Sequence, residues 1–234
     1  LRDTLGIISK NAIDTSDSTY QKWTTDKDIS LKDYLTYARE DFRYIKNQQN
    51  MGAAGSRNRG VGLAQGTYIA FLDADDWWEP GKLKEQLKRL EETGYVLCST
   101  GRELMKADGS STGRTIPVKE KITYRELLKH NSINCSSVIL RRDVAREFPM
   151  EHDDSHEDYI TWLKILRKYG CAAGINKPYL KYRLSEGGKS RNKLKSAAMT
   201  YNVYRYAGYG RIRSCIFFCS YAVHGIWKYC HCSQ

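Results

Sequence analysis

The 234 residues include only 4 prolines and no internal repeat, which excludes collagen-like, proline-rich and solenoid architectures. No apolar run is long enough to span a bilayer. The nearest, Cys215 to Trp227, is short, contains His224 and has Arg211, Arg213 and Lys228 as basic flanks, so it reads as an interfacial helix. No N-terminal apolar segment followed by a cleavage site is evident. The 7 cysteines are odd in number and dispersed, and together these features point to a reducing cytosol. Cys215, Cys219, Cys230 and Cys232 with His231 match no common zinc spacing and read as apolar thiols.

Acidic residues are scarce over the last quarter of the chain. The formal net charge is +11, and Lys177 to Gln234 contributes about +10 of it, because Glu186 is the single acid there; the first 176 residues are nearly neutral. That basic stretch is interleaved with Tyr201, Tyr204, Tyr206, Tyr209, Phe217, Phe218, Tyr221, Trp227 and Tyr229. Such a surface suits an anionic membrane or a nucleic-acid backbone. With no RNA-binding motif in the chain, nucleic acid is the less favoured partner. A content of 41% hydrophobic and 28% charged residues excludes intrinsic disorder and leaves room for one well-buried core or two small domains.

Periodicity supplies the elements. Leu31 to Phe42 has apolar residues at helical spacing, Arg43 to Lys46 reads as a short strand, and Gly52 to Leu63 as helix. Thr67 to Leu72 is the clearest strand, with β-branched and aromatic residues packed without alternation, as in a strand covered on both faces. Pro80 can open a helix whose stripe is Leu83, Leu87 and Leu90 and whose stop is Gly94. Tyr95–Ser99 and Ser137–Leu140 read as strands; Tyr124–Lys129, Asp143–Phe148 and Tyr159–Tyr169 read as helices, the last stopped by Gly170. This alternation predicts an α/β layered domain with a mostly parallel sheet and its ligand crevice at the carboxyl ends of strands.

Asp73, Asp75 and Asp76 sit where the Thr67–Leu72 strand leaves the sheet. Like charges so close are tolerable if they are solvated, if they cap the next helix, or if they share a cation. Their oxygens would suit Mg2+ or Mn2+ holding a diphosphate. The competing reading is that Asp76 and Glu79 favour the helix N-terminus that follows. Further on, Ser155 and Asp158 have capping-box spacing, which would assign Asp158 to closing a helix.

The segment Asn50-Met51-Gly52-Ala53-Ala54-Gly55-Ser56-Arg57-Asn58-Arg59-Gly60, followed by Gly66-Thr67-Tyr68-Ile69-Ala70-Phe71-Leu72-Asp73-Ala74-Asp75-Asp76, resembles the core of the family 2 glycosyltransferases. Ser155-His156-Glu157-Asp158-Tyr159-Ile160-Thr161-Trp162-Leu163 resembles the family's glutamate-aspartate motif, and the likeness runs from about Arg43 to about Ser190. It implies a Rossmann-like GT-A fold over 1–190, followed by a basic, aromatic, amphipathic helical tail over 191–234. It also implies an inverting enzyme that moves a sugar from a nucleotide-diphosphate donor, a UDP-sugar, to a lipid-linked or polysaccharide acceptor in cell-surface glycan synthesis. By that resemblance Asp75 holds Mn2+ or Mg2+, Asp73 contacts ribose or sugar, and Arg57 lies beside the nucleotide. Asp158, next to Glu157, is the catalytic base. The neighbouring His156 could polarise the site or add a ligand, but reads first as a solvent-facing histidine. Lys181-Tyr182-Arg183 resembles the family's tyrosine-arginine strand end, and Ser185, Gly187, Gly188, Lys189 and Ser190 the flexible loop that closes over the donor diphosphate, with Arg183 and Lys189 as the cations.

The resemblance fails at the N-terminus. Family members begin with an apolar strand and a second strand ending in an acidic nucleotide-binding motif; here Leu1 to Asn11 reads as the helix after the first strand, which would itself be missing. Asp17, in the run Asp14 to Thr19, is the implied uracil or ribose contact. The expectation is a truncated or divergent copy with an exposed sheet edge. The tail places the chain on the inner face of the cell membrane as a peripheral, cytoplasmic protein. The alternatives are a catalytically impaired fragment and a basic nucleic-acid-binding module.

Overall fold

The computed structural model describes residues 5–9, 45, 47–184 and 193–231. In chain order these form β1 (Leu5–Ser9), α1 (Gly52–Leu63), β2 (Tyr68–Leu72), β3 (Trp77–Trp78), α2 (Lys82–Thr93), β4 (Leu97–Met105), β5 (Ser111–Ile116), β6 (Lys121–Thr123) and α3 (Tyr124–Lys129). After a 3-10 turn at Cys135–Ser137 come β7 (Ile139–Arg141), α4 (Arg142–Glu147), α5 (Glu157–Tyr169), β8 (Cys171–Arg183), α6 (Lys193–Tyr206) and α7 (Arg211–His231).

One sheet runs in the order β1-β2-β7-β4-β8-β3, with β5 on β4 and β6 on β8. It is an α/β sheet with flanking helices, as expected, but it is mixed rather than mostly parallel. β1 pairs with β2 and β4 with β8 in parallel; β2–β7, β3–β8, β4–β5, β4–β7 and β6–β8 are antiparallel. The antiparallel members are mostly short return strands, which need no crossover helix. β4 and β5, for example, form a hairpin through Asp108 and Gly109, where Gly109 takes φ +86° and the Asp108 carboxylate accepts from the Ser110 N–H at 2.8 Å.

The N-terminal expectation is corrected in one respect. Leu5–Ser9 is a strand, not a helix, and it runs parallel to β2 in the register Leu5↔Tyr68 to Ser9↔Leu72. The backbone edge of β2 is therefore paired. The Leu-Gly-Ile-Ile-Ser run has β-branched residues that suit a strand, and the open parallel edge beside it supplies the partner. The helix expected over 31–42, almost all of the strand expected over 43–46, and Asp17 lie outside the described residues.

β2 is buried from Ile69 to Leu72 and divides two cores. Ile69 and Phe71 face a large cluster that includes Leu97, Tyr159, Trp162, Leu166, Val203 and Tyr204; the Phe71 and Trp162 rings lie 6.1 Å apart. Ala70 and Leu72 face a smaller cluster with Trp78, Leu90, Cys98, Ile139, Ala173 and Leu180. Both predicted glycine stops hold. Gly94 (φ +67°) and Gly170 (φ +84°) return N–H bonds to Leu90 O and Leu166 O at 2.9 and 2.8 Å. α2 starts two residues later than Pro80, because Gly81 (φ +86°) occupies its N-cap.

The basic stretch supplies α6 and α7. α6 buries Met199, Val203 and Tyr204, and Phe217, Phe218 and Tyr221 of α7 pack on the large core. The opposite side of α7 leaves Ile212, Ile216 and Val223 exposed at 79%, 60% and 65%. Among the described residues no helix is long and apolar enough to cross a membrane.

Candidate functional site

The carboxyl end of β2 is held from below by the 3-10 turn. The Asp73 N–H donates to Ser136 Oγ at 3.1 Å, and Trp78 Nε1 donates to the Ser136 carbonyl at 2.7 Å. The chain then turns, with the Asp76 N–H bonded to Asp73 O at 3.1 Å. This turn sends the three acids to different surroundings. Asp76 is 2% exposed and accepts the Arg183 N–H at 3.0 Å. Burial pushes its carboxyl up to about 7, against the pull of hydrogen bonds from Ser136 and the Arg183 N–H. Asp75 is exposed, and its carboxylate makes no hydrogen bond or ion pair to a described residue; its carbonyl accepts Arg183 Nε at 3.0 Å. Asp76 is thus tied to β8 and does not cap α2. Glu79 pairs with Lys181 at 2.9 Å.

Asp73 faces the other way, toward α1. Arg57 Nη2 donates to Asp73 Oδ1 at 2.5 Å, and Arg57 Nη1 donates to Glu157 Oε1 at 2.9 Å. The Arg57 and Glu157 side chains are 13% and 8% exposed, so this pair is shielded, whereas Asp73 keeps 36%. Burial disfavours the Arg57 charge, yet its anionic surroundings raise its pKa overall. Asp158, one residue on, is raised to about 6, first by burial of its carboxyl and then by the neighbouring Glu157 charge; Arg57 and the Tyr159 N–H oppose this.

The capping explanation for Asp158 fails. The N-cap of α5 is His156, with no side-chain cap bond, and the Ser155 hydroxyl instead donates to Met199 O at 2.7 Å. The Asp158 carboxylate accepts the adjacent Tyr159 N–H at 2.7 Å. A carboxyl that is half-buried and raised toward neutrality, beside a fixed cation, is suited to proton transfer.

The structure therefore brings Arg57, Asp73, Glu157 and Asp158 together. It places Asp75, Asp76 and Arg183 on the adjoining side of the β2 end. The Arg183 guanidinium also donates to Ala107 O at 3.0 Å and lies 5.2 Å over the Trp77 ring. Asp17 and Lys189 lie outside the described residues. Several participants escaped sequence reading. Ser136 supports both Asp73 and Asp76. Asp153 accepts the Ala54 N–H at 3.0 Å, at the start of the helix bearing Arg57. Asn58 makes a reciprocal pair with the Met150 backbone, at 2.7 and 2.8 Å. None has a local signal, because each depends on partners at least 58 positions away.

No group of three metal-ligating side chains occurs among the described residues. The donor set still fits a hard divalent cation that takes one exposed carboxylate, Asp75, and completes its shell from diphosphate oxygens and water, which is the habit of Mg2+ at phosphate sites.

The sequence model described as Glycosyl transferase family 2 matches residues 26–148. The chain is 38% identical over 166 residues to the putative teichuronic acid biosynthesis glycosyltransferase TuaG of Bacillus subtilis (strain 168), covering 71% of this chain and 66% of that one. It is 37% identical over 189 residues to the UDP-Glc:alpha-D-GlcNAc-diphosphoundecaprenol beta-1,3-glucosyltransferase WfaP of Escherichia coli, covering 80% and 73%. The chain thus spans about two thirds to three quarters of these relatives. Among solved structures, S. aureus TarS 1-349 in complex with UDP-GlcNAc superposes with a TM-score of 0.60 at 13% identity over 92% of this chain and 70% of that one, a likeness of fold.

Proposed function

The chain belongs to glycosyltransferase family 2, and from that premise we propose that it is an inverting enzyme that transfers a sugar from a UDP-sugar to a lipid-linked or polysaccharide acceptor in cell-surface glycan synthesis. The observation that carries this reading is the Arg57 fork, which ties Asp73 at the end of β2 to Glu157 and so sets Asp158 beside the donor segment. In the reaction the acceptor hydroxyl attacks the anomeric carbon, its proton passes to Asp158, and the bond to the diphosphate breaks with the electron pair leaving on UDP. Asp73 orients the ribose or sugar. Arg57 and Arg183 set positive charge against the negative charge that grows on the leaving group. Mn2+ or Mg2+ held by Asp75 would neutralise the diphosphate as a Lewis acid. Asp17 and Lys189 complete the donor contacts in this reading.

The relatives' names support the acceptor class, since WfaP is named for a diphosphoundecaprenol-linked acceptor. A lipid-linked acceptor calls for a protein that works at a membrane surface. The side of α7 carrying Ile212, Ile216 and Val223 is apolar and exposed, Arg211 and Arg213 are exposed at its start, and no acid follows Glu186. Two copies of that face would bring like charges together, whereas an anionic lipid surface would neutralise them. We therefore place the protein on the cytoplasmic face of the cell membrane, peripherally bound through α7.

Calorimetric titration of UDP with and without Mn2+, repeated on Asp75→Asn, tests the donor site. Metal-dependent binding that is lost in the variant is expected, and the absence of UDP binding under all conditions would overturn the reading. Transfer from UDP-glucose or UDP-N-acetylglucosamine to a diphosphoundecaprenol-linked sugar then tests the acceptor class.

A further inference from the structure

Residues 152–155, which precede the helix bearing the glutamate-aspartate pair, are held from two sides. From the α6 side, Met199 O accepts the hydroxyl of Ser155, which is fully buried, at 2.7 Å. The Tyr206 hydroxyl donates to Asp154 Oδ2 at 2.7 Å, and the Tyr206 ring stacks on His152 with centroids 3.6 Å apart and planes 3° from parallel. From the α1 side, the Ala54 N–H donates to Asp153 Oδ1 at 3.0 Å. His152 takes φ +66°, the one non-glycine residue with positive φ among the described residues. A histidine persists in that conformation only where its surroundings over-determine it, and the Tyr206 stack is such a constraint. The first turn of α5 has no side-chain cap, so its direction is set by this loop.

We propose that α6, although it belongs to the basic tail, is part of the catalytic apparatus. Tyr206, His152 and Ser155 are positioning residues that hold the 152–155 loop and thereby aim Asp158 at the acceptor hydroxyl. Asp153 ties the same loop to the helix that carries Arg57, so the base and the cation are placed relative to each other by one short segment. The proposal rests on the reading of Asp158 as general base. A purely structural contact between α6 and the core would be served by Val203 and Tyr204 alone, which are already fully buried. The Tyr206 and Ser155 bonds instead converge on the residues that precede the base.

The test uses the full chain with His152→Gly, which relieves the positive φ while removing the stacked ring, and Tyr206→Ala, which removes both ring and hydroxyl. Three quantities are read: kcat for UDP-glucose and UDP-N-acetylglucosamine turnover, the Kd for UDP, and amide hydrogen exchange of the segment 151–160. The expected result is a tenfold or larger loss of kcat and tenfold faster exchange in that segment, with UDP affinity within twofold of wild type. Tyr206→Phe, which keeps the ring, should retain more kcat than Tyr206→Ala. Exchange or kcat within twofold of wild type in both variants overturns the proposal, as does UDP affinity falling in step with kcat. Turnover by Asp158→Asn within twofold of wild type would remove Asp158's role as base and the proposal with it. A wild type that binds no UDP would instead overturn the donor-site reading itself.

Discussion

Arg57 and Glu157 stand 100 positions apart in the chain, and their side chains meet at 2.9 Å while the same guanidinium holds Asp73 on its other side. A planar fork can bridge two carboxylates that a single ammonium cannot reach together. The end of β2 and the start of α5 are thereby locked in one relation, and the spacing between the donor segment and the proposed base depends on it.

Arg57→Lys should therefore keep the charge and lose the bridge. We expect kcat/KM for the donor to fall roughly 10- to 100-fold, on the order of 2 kcal/mol, which steady-state kinetics reads directly. Arg57→Met leaves Glu157 buried without its cation and should lower unfolding stability by about 3–5 kcal/mol in urea titrations.

Asp158→Asn should lower kcat roughly 10²- to 10⁴-fold while leaving UDP affinity unchanged. In the wild type the base must be deprotonated, so kcat should fall as pH drops through about 6. That acid limb should vanish in the variant's residual rate; a limb that persists would assign it to another group.

Lys82 is wholly buried, donates to Gln86 Oε1 at 2.7 Å and lies 4.1 Å over the Trp78 ring, and burial lowers its pKa to about 7. Between that value and 10.5, the ordinary value, the unfolded chain binds a proton that the folded chain does not, so stability contributed by this group rises with pH across that window. Lys82→Met should remove the rise. Denaturant midpoints taken at pH 7 and pH 10 should show the variant closer to wild type, or below it, at the higher pH.

Ile216→Glu should weaken cosedimentation with phosphatidylglycerol vesicles at low salt at least tenfold and leave UDP binding intact, because it puts an acid in the middle of the exposed apolar side of α7. Equal binding by variant and wild type would separate this face from the membrane.

Elements with a strong local signal were legible in the sequence: β2 from its unbroken apolar run, α2 and α5 from their stripes and glycine stops, and the acidic segment from its place at a strand end. β8 was not. Its 13 residues include Gly174 and Pro178, which argue against a strand, and only the sheet explains them. Pro178 falls between Ile175 and Leu180, where the pairing with β4 shifts register, so no ladder bond is lost there. A Cβ on Gly101, at the same shift, would meet the Lys177 carbonyl at 3.0 Å. The two capping-box patterns teach the same lesson. Thr123 and Glu126 do form the reciprocal box, with bonds of 3.3 and 3.0 Å, whereas Ser155 and Asp158 share the spacing and do not. What separates them is the Met199 carbonyl, 44 positions away, which takes the Ser155 hydroxyl. Spacing names the partners a side chain can have, and tertiary contact chooses among them.

The alternation of β2 between two cores has a consequence for how such a chain can change over generations. Ile69 and Phe71 answer to the layer that holds α5 and α6, while Ala70 and Leu72 answer to the layer under α2. Substitutions that repack one layer reach the other only through the few strand positions between them. Changes confined to the outward side of α7 can thus accumulate while Asp76 stays moored to β8 through the Arg183 N–H, whereas changes in α5 or α6 are felt at Asp73 through Glu157 and Arg57.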